Sequence, residues 1–288
     1  MWILFALLNP VSEGFRSLFI KRGTREVDPM VISWVNNLIP VIFFTTFIFF
    51  IDLNFNVNFF IGFLGSGLIN VAANILYVRA ISKGDISAVM PMLSFTPLFL
   101  LITGPIMTGE FPNLIGLVGV IIIVIGSYSL NLDLKSKNIF APFKALIRNK
   151  GTRYMLVVAF IWSLSANFDK ISINSSSVLQ HIIFVNVFIF TILSIVLKAQ
   201  KKDKWKYLYE RKTNLLIVST FTTFSFIFHM MALSMTLVAY VVALKRLSGI
   251  ISVVLGHKFL GEGNIKERII GATLMFIGVL FIVFSSSV

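Results

Sequence analysis

Two adjacent cations, Lys245 and Arg246, stand eight or nine residues inside an apolar stretch, within Ala243-Leu-Lys-Arg-Leu-Ser-Gly249. The next basic residue, Lys258, is ten or more positions away. An ionisable side chain at the bilayer centre costs about 2.5–3.5 kcal/mol on insertion scales, so it generally faces a cavity or a partner. Together an ammonium and a guanidinium offer up to about eight donors and two charges, a set suited to a carboxylate or a phosphate. Neighbours on a helix point about 100° apart, so one cation would line a cavity while the other binds an adjacent helix. The competing reading is internal neutralisation, with Glu13 or Asp169 as counter-ion.

Other polar groups share the apolar stretches. Glu13 and Arg16 are three apart and lie on one helix face. They lock the two halves together as an ion pair with Asp169, or they contact substrate, or Glu13 takes up protons that couple to a gradient. Asn70, Asn74 and Tyr77 recur at helical spacing, as do Trp162, Ser165 and Asp169, and Thr222, Ser225 and His229. Asn74, Tyr77 and Trp162 are expected to shape a pocket beside the cations, while Arg79 and Lys170, near the ends of their stretches, are expected to snorkel. Pro91 and Pro97 free backbone carbonyls in the fourth stretch and predict a kink there.

Catalytic chemistry is poorly supplied. The chain has no Cys, which removes disulfides, thiolate metal sites and a cysteine nucleophile. No paired carboxylates, His-Asp cluster or activated nucleophile are legible, and His181, His229 and His257 lack a metal-ligand spacing. Neither metal nor cofactor is expected. No nucleotide-binding loop is present to let ATP drive a process directly.

The elements that must position these groups follow from composition. Of 288 residues 57% are hydrophobic and 13% charged, and mean hydropathy is +0.91. Soluble domains carry about 25% charged residues, so this is an all-α integral membrane protein. Helices need about 20 apolar residues to cross a bilayer. Ten stretches qualify: 2–20, 29–51, 59–81, 86–106, 112–130, 154–173, 178–197, 214–233, 237–257 and 269–284. The first is expected to be a mature helix, because Glu13 and Arg16 interrupt it and no small-residue cleavage site follows.

The net charge of +13 is topological. Of the 25 basic residues, 20 fall in loops on one side, chiefly 131–153 and 198–213, while loops 52–58, 107–111, 174–177 and 234–236 hold none. The positive-inside rule then puts both termini outside the cytoplasm. Such a distribution suits attraction to membrane lipids and argues against nucleic acid as a partner.

Sliding the chain on itself by 152 residues matches Ala80–Ser129 to Ala232–Phe281 without gaps. Gly104 meets Gly256, Gly109-Glu110 meets Gly261-Glu262, and Gly119 and Gly126 meet Gly271 and Gly278. Near the N-terminus an offset of 153 brings Ser12 onto Ser165, and Arg16 onto Asp169. Two five-helix halves are expected, 1–130 and 154–288, joined by a basic cytoplasmic linker at 131–153. Five is odd, so the second half enters the membrane in the opposite sense. Inverted repeats are a device of secondary transporters, with the substrate near the midplane between the halves.

At this level the sequence resembles the drug/metabolite transporter superfamily, in particular its bacterial EamA-type members. The resemblance rests on the ten spans in two halves, on Phe259-Leu-Gly-Glu262 before the glycine-spaced last helix, and on the copy Met107-Thr-Gly-Glu110. It implies a basket of ten helices around a cavity, alternating access, a bacterial inner-membrane location and a small-molecule metabolite as partner. Sugar-phosphate translocators of the same superfamily look similar at Lys245 and Arg246, where a Lys-Arg pair grips the substrate phosphate. Many relatives have both termini in the cytoplasm, a departure from the charge reading here. The expectation is a transporter of a small, anionic metabolite; the alternative is a membrane-embedded enzyme or flippase acting on a lipid-linked anion.

Overall fold

The computed structural model describes residues 1–23, 28–83, 90–131, 150–200, 212–260 and 265–285. Among them there is no strand, as expected where no water is available to satisfy a lipid-exposed sheet edge. Seven spans are single helices: α1 (Trp2–Gly23), α4 (Val57–Lys83), α6 (Leu114–Asn131), α7 (Lys150–Ser175), α8 (Val178–Ala199), α9 (Lys212–Met235) and α12 (Ile265–Ser285). Three are broken. The second is α2 (Pro29–Asn36) followed by α3 (Leu38–Thr45), the fourth is a 3-10 segment (Met90–Phe95) leading into α5 (Thr96–Met107), and the ninth is α10 (Val238–Lys245) followed by α11 (Ser248–Leu260).

Local sequence sets several of these ends. Asp28 caps α2 through Oδ1, which accepts from Met30 N at 2.8 Å, and Pro29 takes the first helical position, where no N–H is needed. Ser177 caps α8 in the same way through Gln180 N. Outward-facing side chains such as Phe49, Ile106, Leu114 and Phe284 are large and apolar, which suits lipid rather than water.

The two halves interleave. Helix α4 of the first half packs most closely on α7, which opens the second half, and α1 packs on α9. Since the repeat carries α1 onto α7 and α4 onto α9, these two pairs exchange under one pseudo-two-fold rotation. The remaining tight pair, α6 with α12, maps onto itself. A Cβ on Gly119 would lie 2.8 Å from Gly278 O, and one on Gly126 would lie 2.7 Å from Gly271 O. Pairing 119 with 278 and 126 with 271 requires the helices to run antiparallel, the inversion that the odd number of spans demands.

Backbone approaches this close admit no side chain on either glycine. Gly126→Ala is expected to cost about 1–3 kcal/mol, typical of overpacking. Ile125→Ala, 52% exposed on the neighbouring face, serves as the control. Thermal unfolding in detergent checks this; equal midpoints would remove α6–α12 packing as a source of stability.

Candidate functional site

The fourth and ninth spans break at equivalent places. Helix α5 begins at Thr96 and α11 at Ser248, the same 152-residue offset that relates the repeats. Lys245 and Arg246 occupy the break: α10 ends at Lys245 and Arg246 caps it. From Ala243 onward hydrogen bonds tighten to three-residue closure, with Arg246 N on Ala243 O at 3.0 Å and Leu247 N on Leu244 O at 2.9 Å. The sequence reading placed the pair inside a continuous helix, and the structure corrects this. A Ser-Gly just after a charged pair is a poor place to hold a regular ladder, and Gly249 corresponds to Pro97 at the 152-residue offset. Interrupted spans at matching positions in inverted repeats are where transporters build ion and substrate sites.

Around the break the charged groups face one another. Lys245 lies in the field of Glu13, Arg16, Arg246 and Asp169, and Arg246 in that of Glu13 and Tyr77. His229, on α9, faces Lys245, Glu13 and Arg246. Within the described residues neither the Lys245 nor the Arg246 side chain makes a hydrogen bond or ion pair, and Arg246 Nε and His229 Nδ1 are buried without a partner. Both cations are half-buried, so they remain reachable.

Glu13 is already engaged. Its Oε1 accepts from Arg16 one turn along α1, and its Oε2 accepts from Ser225 Oγ at 2.8 Å on α9. Asn9 Nδ2 donates to Ser225 O at 2.7 Å and Oγ at 3.1 Å, closing the α1–α9 seam. Asn9, Glu13 and Arg16 fall at i, i+4 and i+7; Asn9 was missed in the sequence although its spacing was visible.

Tyr77 faces Arg16, Glu13 and Arg246, and its ring lies 5.8 Å from that of Trp162. Asn74 donates to Asn70 O at 2.8 Å, one turn back on α4. Lys245, Arg246, Tyr77, Glu13 and Arg16 are therefore brought together, with Trp162 behind Tyr77 and Asn74 one turn away.

Asp169 does not pair with Arg16. Its Oδ1 accepts from Ser66 Oγ and stands 3.0 Å from His181 Nε2. The inter-half lock of Arg16 with Asp169 is thus absent, because each finds a nearer partner. A His-Asp pair, illegible in the sequence at a separation of twelve residues, does exist. Lys170 also departs from expectation. Instead of snorkelling it is buried, donating to Leu233 O at 2.7 Å and Thr236 O at 2.9 Å, with Glu110 Oε1 at 3.4 Å. Arg79 is exposed at the end of α4.

Glu110 explains half of the repeated Gly-Glu motif. Gly109 has φ +71°, a left-handed turn that ends α5 and swings the carboxylate across to α10, where Oε2 accepts from Val238 N at 3.1 Å. A carboxylate at a helix N-terminus and an ammonium on the last carbonyls of α9 both match the helix dipoles. The second copy, Gly261-Glu262, lies outside the described residues.

Comparison with known proteins adds three findings. The sequence matches the EamA-like transporter family over residues 1–132 and 149–284. No curated protein matches it. One solved crystal structure superposes with a TM-score of 0.75 at 12% identity, over 98% of this chain and 97% of its own. At that identity the likeness speaks for the fold alone.

Proposed function

From the membership of this chain in the EamA-like transporter family, within the drug/metabolite transporter superfamily, we propose that this multi-pass membrane transporter carries a small anionic metabolite by alternating access. The substrate carries a carboxylate or phosphate that Lys245 and Arg246 bind at the broken ninth span, with Tyr77, Trp162 and Asn74 shaping the pocket. The halves are 1–130 and 154–288, the basic linker 131–153 is cytoplasmic, and both termini lie outside the cytoplasm, in a bacterial inner membrane.

One observation carries the reading. Glu13 is held by Arg16 and Ser225, while the side chains of Lys245 and Arg246 make no hydrogen bond or ion pair within the described residues. Two such charges at membrane depth are costly, and an anion that both contact removes the cost. Removing one partner of a paired anion leaves the other cation buried alone, so affinity depends on both. A lipid-linked substrate would need chemistry or a lateral opening, and the members of the matched family are transporters.

The test is ligand-induced thermal stabilisation of purified protein, using phosphate, sulfate, succinate and neutral sugars as probes. Ligand bound only to the folded form raises stability by mass action, about 2.7 kcal/mol at 100 times Kd. Phosphate, sulfate or succinate is expected to raise the melting temperature of the wild type and not of Lys245→Met/Arg246→Met. Equal stabilisation of both proteins, or stabilisation by neutral sugars alone, defeats the anion reading.

A further inference from the structure

A second polar centre lies away from the unpartnered cations. Asp169 and His181 are 5% and 0% exposed, and Ser66, which donates to the same carboxylate oxygen, is 0% exposed. The centre joins both halves, because Ser66 stands on α4 while Asp169 and His181 stand on α7 and α8. It is wired toward the cation site by polar side chains. Ser66 Oγ is 3.3 Å from Ser165 Oγ, Asn70 Nδ2 donates to Ser165 Oγ at 2.8 Å, and Asn74 Nδ2 donates to Asn70 O at 2.8 Å. Tyr77 follows one turn later on α4.

The chemistry of the pair is specific. A carboxylate only accepts, so His181 Nε2 carries the hydrogen that points at Asp169, and Nδ1 holds the lone pair. That Nδ1 is buried and has no hydrogen-bond partner. A basic nitrogen with its lone pair vacant, backed by a carboxylate, is a proton acceptor. We infer that the Asp169–His181 pair is the proton-binding site through which this transporter is coupled to a proton gradient. This rests on the alternating-access reading above but not on the substrate being an anion.

The step is one protonation. His181 Nδ1 takes a proton from water, one N–H bond forms, and the pair passes from a net charge of −1 to zero as imidazolium and carboxylate. In the opposite conformation the proton leaves to water on the other side. His181 is one turn from the start of α8, near loop 174–177 in sequence. Glu13, a half-buried carboxylate on α1, is occupied by Arg16 and Ser225.

Among the described residues few other charges face the pair. Lys245, at the end of α10, lies in the field of Asp169. Lys170, next to Asp169 on α7, is turned toward Glu110 and the carbonyls of Leu233 and Thr236. Helix α4 offers Ser66 and Asn70, α2 and α3 contribute no ionisable side chain, and His229 on α9 faces Lys245, Glu13 and Arg246. Protonation adds a positive charge beside Asp169 and cancels the net negative charge that the pair presents to Lys245, so a bound proton leaves Lys245 more available to an anion. By linkage the preference is reciprocal.

The natural absence of cysteine allows a direct test. Met235→Cys puts one thiol at the exposed end of α9, and a membrane-impermeant maleimide reports its accessibility between about pH 5 and 8, where histidine titrates. His181→Gln and Asp169→Asn in the same background carry the same thiol and cancel its own titration. The parent's labelling rate is expected to diverge from both variants by about threefold or more across this range, as a population shift of about 0.7 kcal/mol gives. In parallel, the imidazole nitrogen resonances of His181 in isotope-labelled protein are expected to titrate. They are assigned by their loss in His181→Gln or, if that variant does not fold, by elimination with His229→Gln and His257→Gln. Coincident labelling profiles, or an imidazole that stays neutral throughout, overturn the proposal. Failure of phosphate, sulfate and succinate to bind would leave these readouts unaffected, so the two ideas fail separately.

Discussion

Lys170→Met is expected to lower stability more than any other single change at the end of the molecule where loops 107–111 and 234–236 lie. The ammonium supplies hydrogen bonds to Leu233 O and Thr236 O and sits 3.4 Å from Glu110. Methionine keeps the length and apolar stem but leaves two helix-end carbonyls and one carboxylate without their cation. Breaking a buried pair from one side costs about 3–5 kcal/mol; Glu110, at 21% side-chain exposure, can regain some water, so the lower end is expected. Glu110→Gln should cost less, because an amide oxygen still accepts from Val238 N. A double-mutant cycle decides the matter. The double variant should be less destabilised than the sum of the singles, and strict additivity would mean that Lys170 serves only the carbonyls. The measurement is thermal unfolding in detergent of the four proteins.

The fold was legible because membrane helices leave a strong mark. Ten apolar stretches and a glycine-bearing repeat suffice for the count and the inversion, and the glycines in register across the repeat became the α6–α12 contact. The broken spans were only partly visible. Pro91 and Pro97 announced the fourth, but nothing in Ala243–Gly249 announces the ninth until it is laid on its partner at offset 152. The break in the second span at Asn37 has no counterpart in the continuous α8, so the repeat could not reveal it.

Charges were harder to place than helices, for a physical reason. Which buried charge finds which partner depends on rotation of the helices about their axes, and spacing along one helix fixes only relative angles. Glu13 with Arg16 was legible because both lie on α1. Asp169 with His181, and Lys170 with Glu110, join different helices and had no local signal. Lys170 was misread because closeness to a helix end was taken as access to water, whereas the carbonyls of α9 offered it a better partner. The Gly-Glu motif was useful as a marker of the repeat, while its work, a left-handed turn aiming a carboxylate at the next half, belongs to three dimensions.

Glu13→Gln makes the sharpest claim about the centre of the molecule. In the wild type Arg16 is neutralised by Glu13, and Lys245, Arg246 and His229 all lie in the field of the same carboxylate. Glutamine preserves shape and one acceptor for Ser225, but it leaves three cations facing one another with Asp169 as the remaining carboxylate in the field of Lys245. A loss of about 3–5 kcal/mol is expected, typical of an uncompensated buried charge. Arg16→Met alone uncovers the carboxylate to the two remaining cations and should cost less, because Lys245 and Arg246 still compensate it. The double variant Glu13→Gln/Arg16→Met removes both members of the ion pair and should recover most of the stability lost in Glu13→Gln. If Lys245 and Arg246 are reserved for a ligand, that double variant keeps the stabilisation by sulfate seen in the wild type, because the net charge they present is unchanged. If Glu13 is instead their internal counter-ion, the double variant stays as unstable as Glu13→Gln until sulfate is added. Thermal unfolding with and without sulfate separates the two, since sulfate keeps its charge at any pH the protein tolerates.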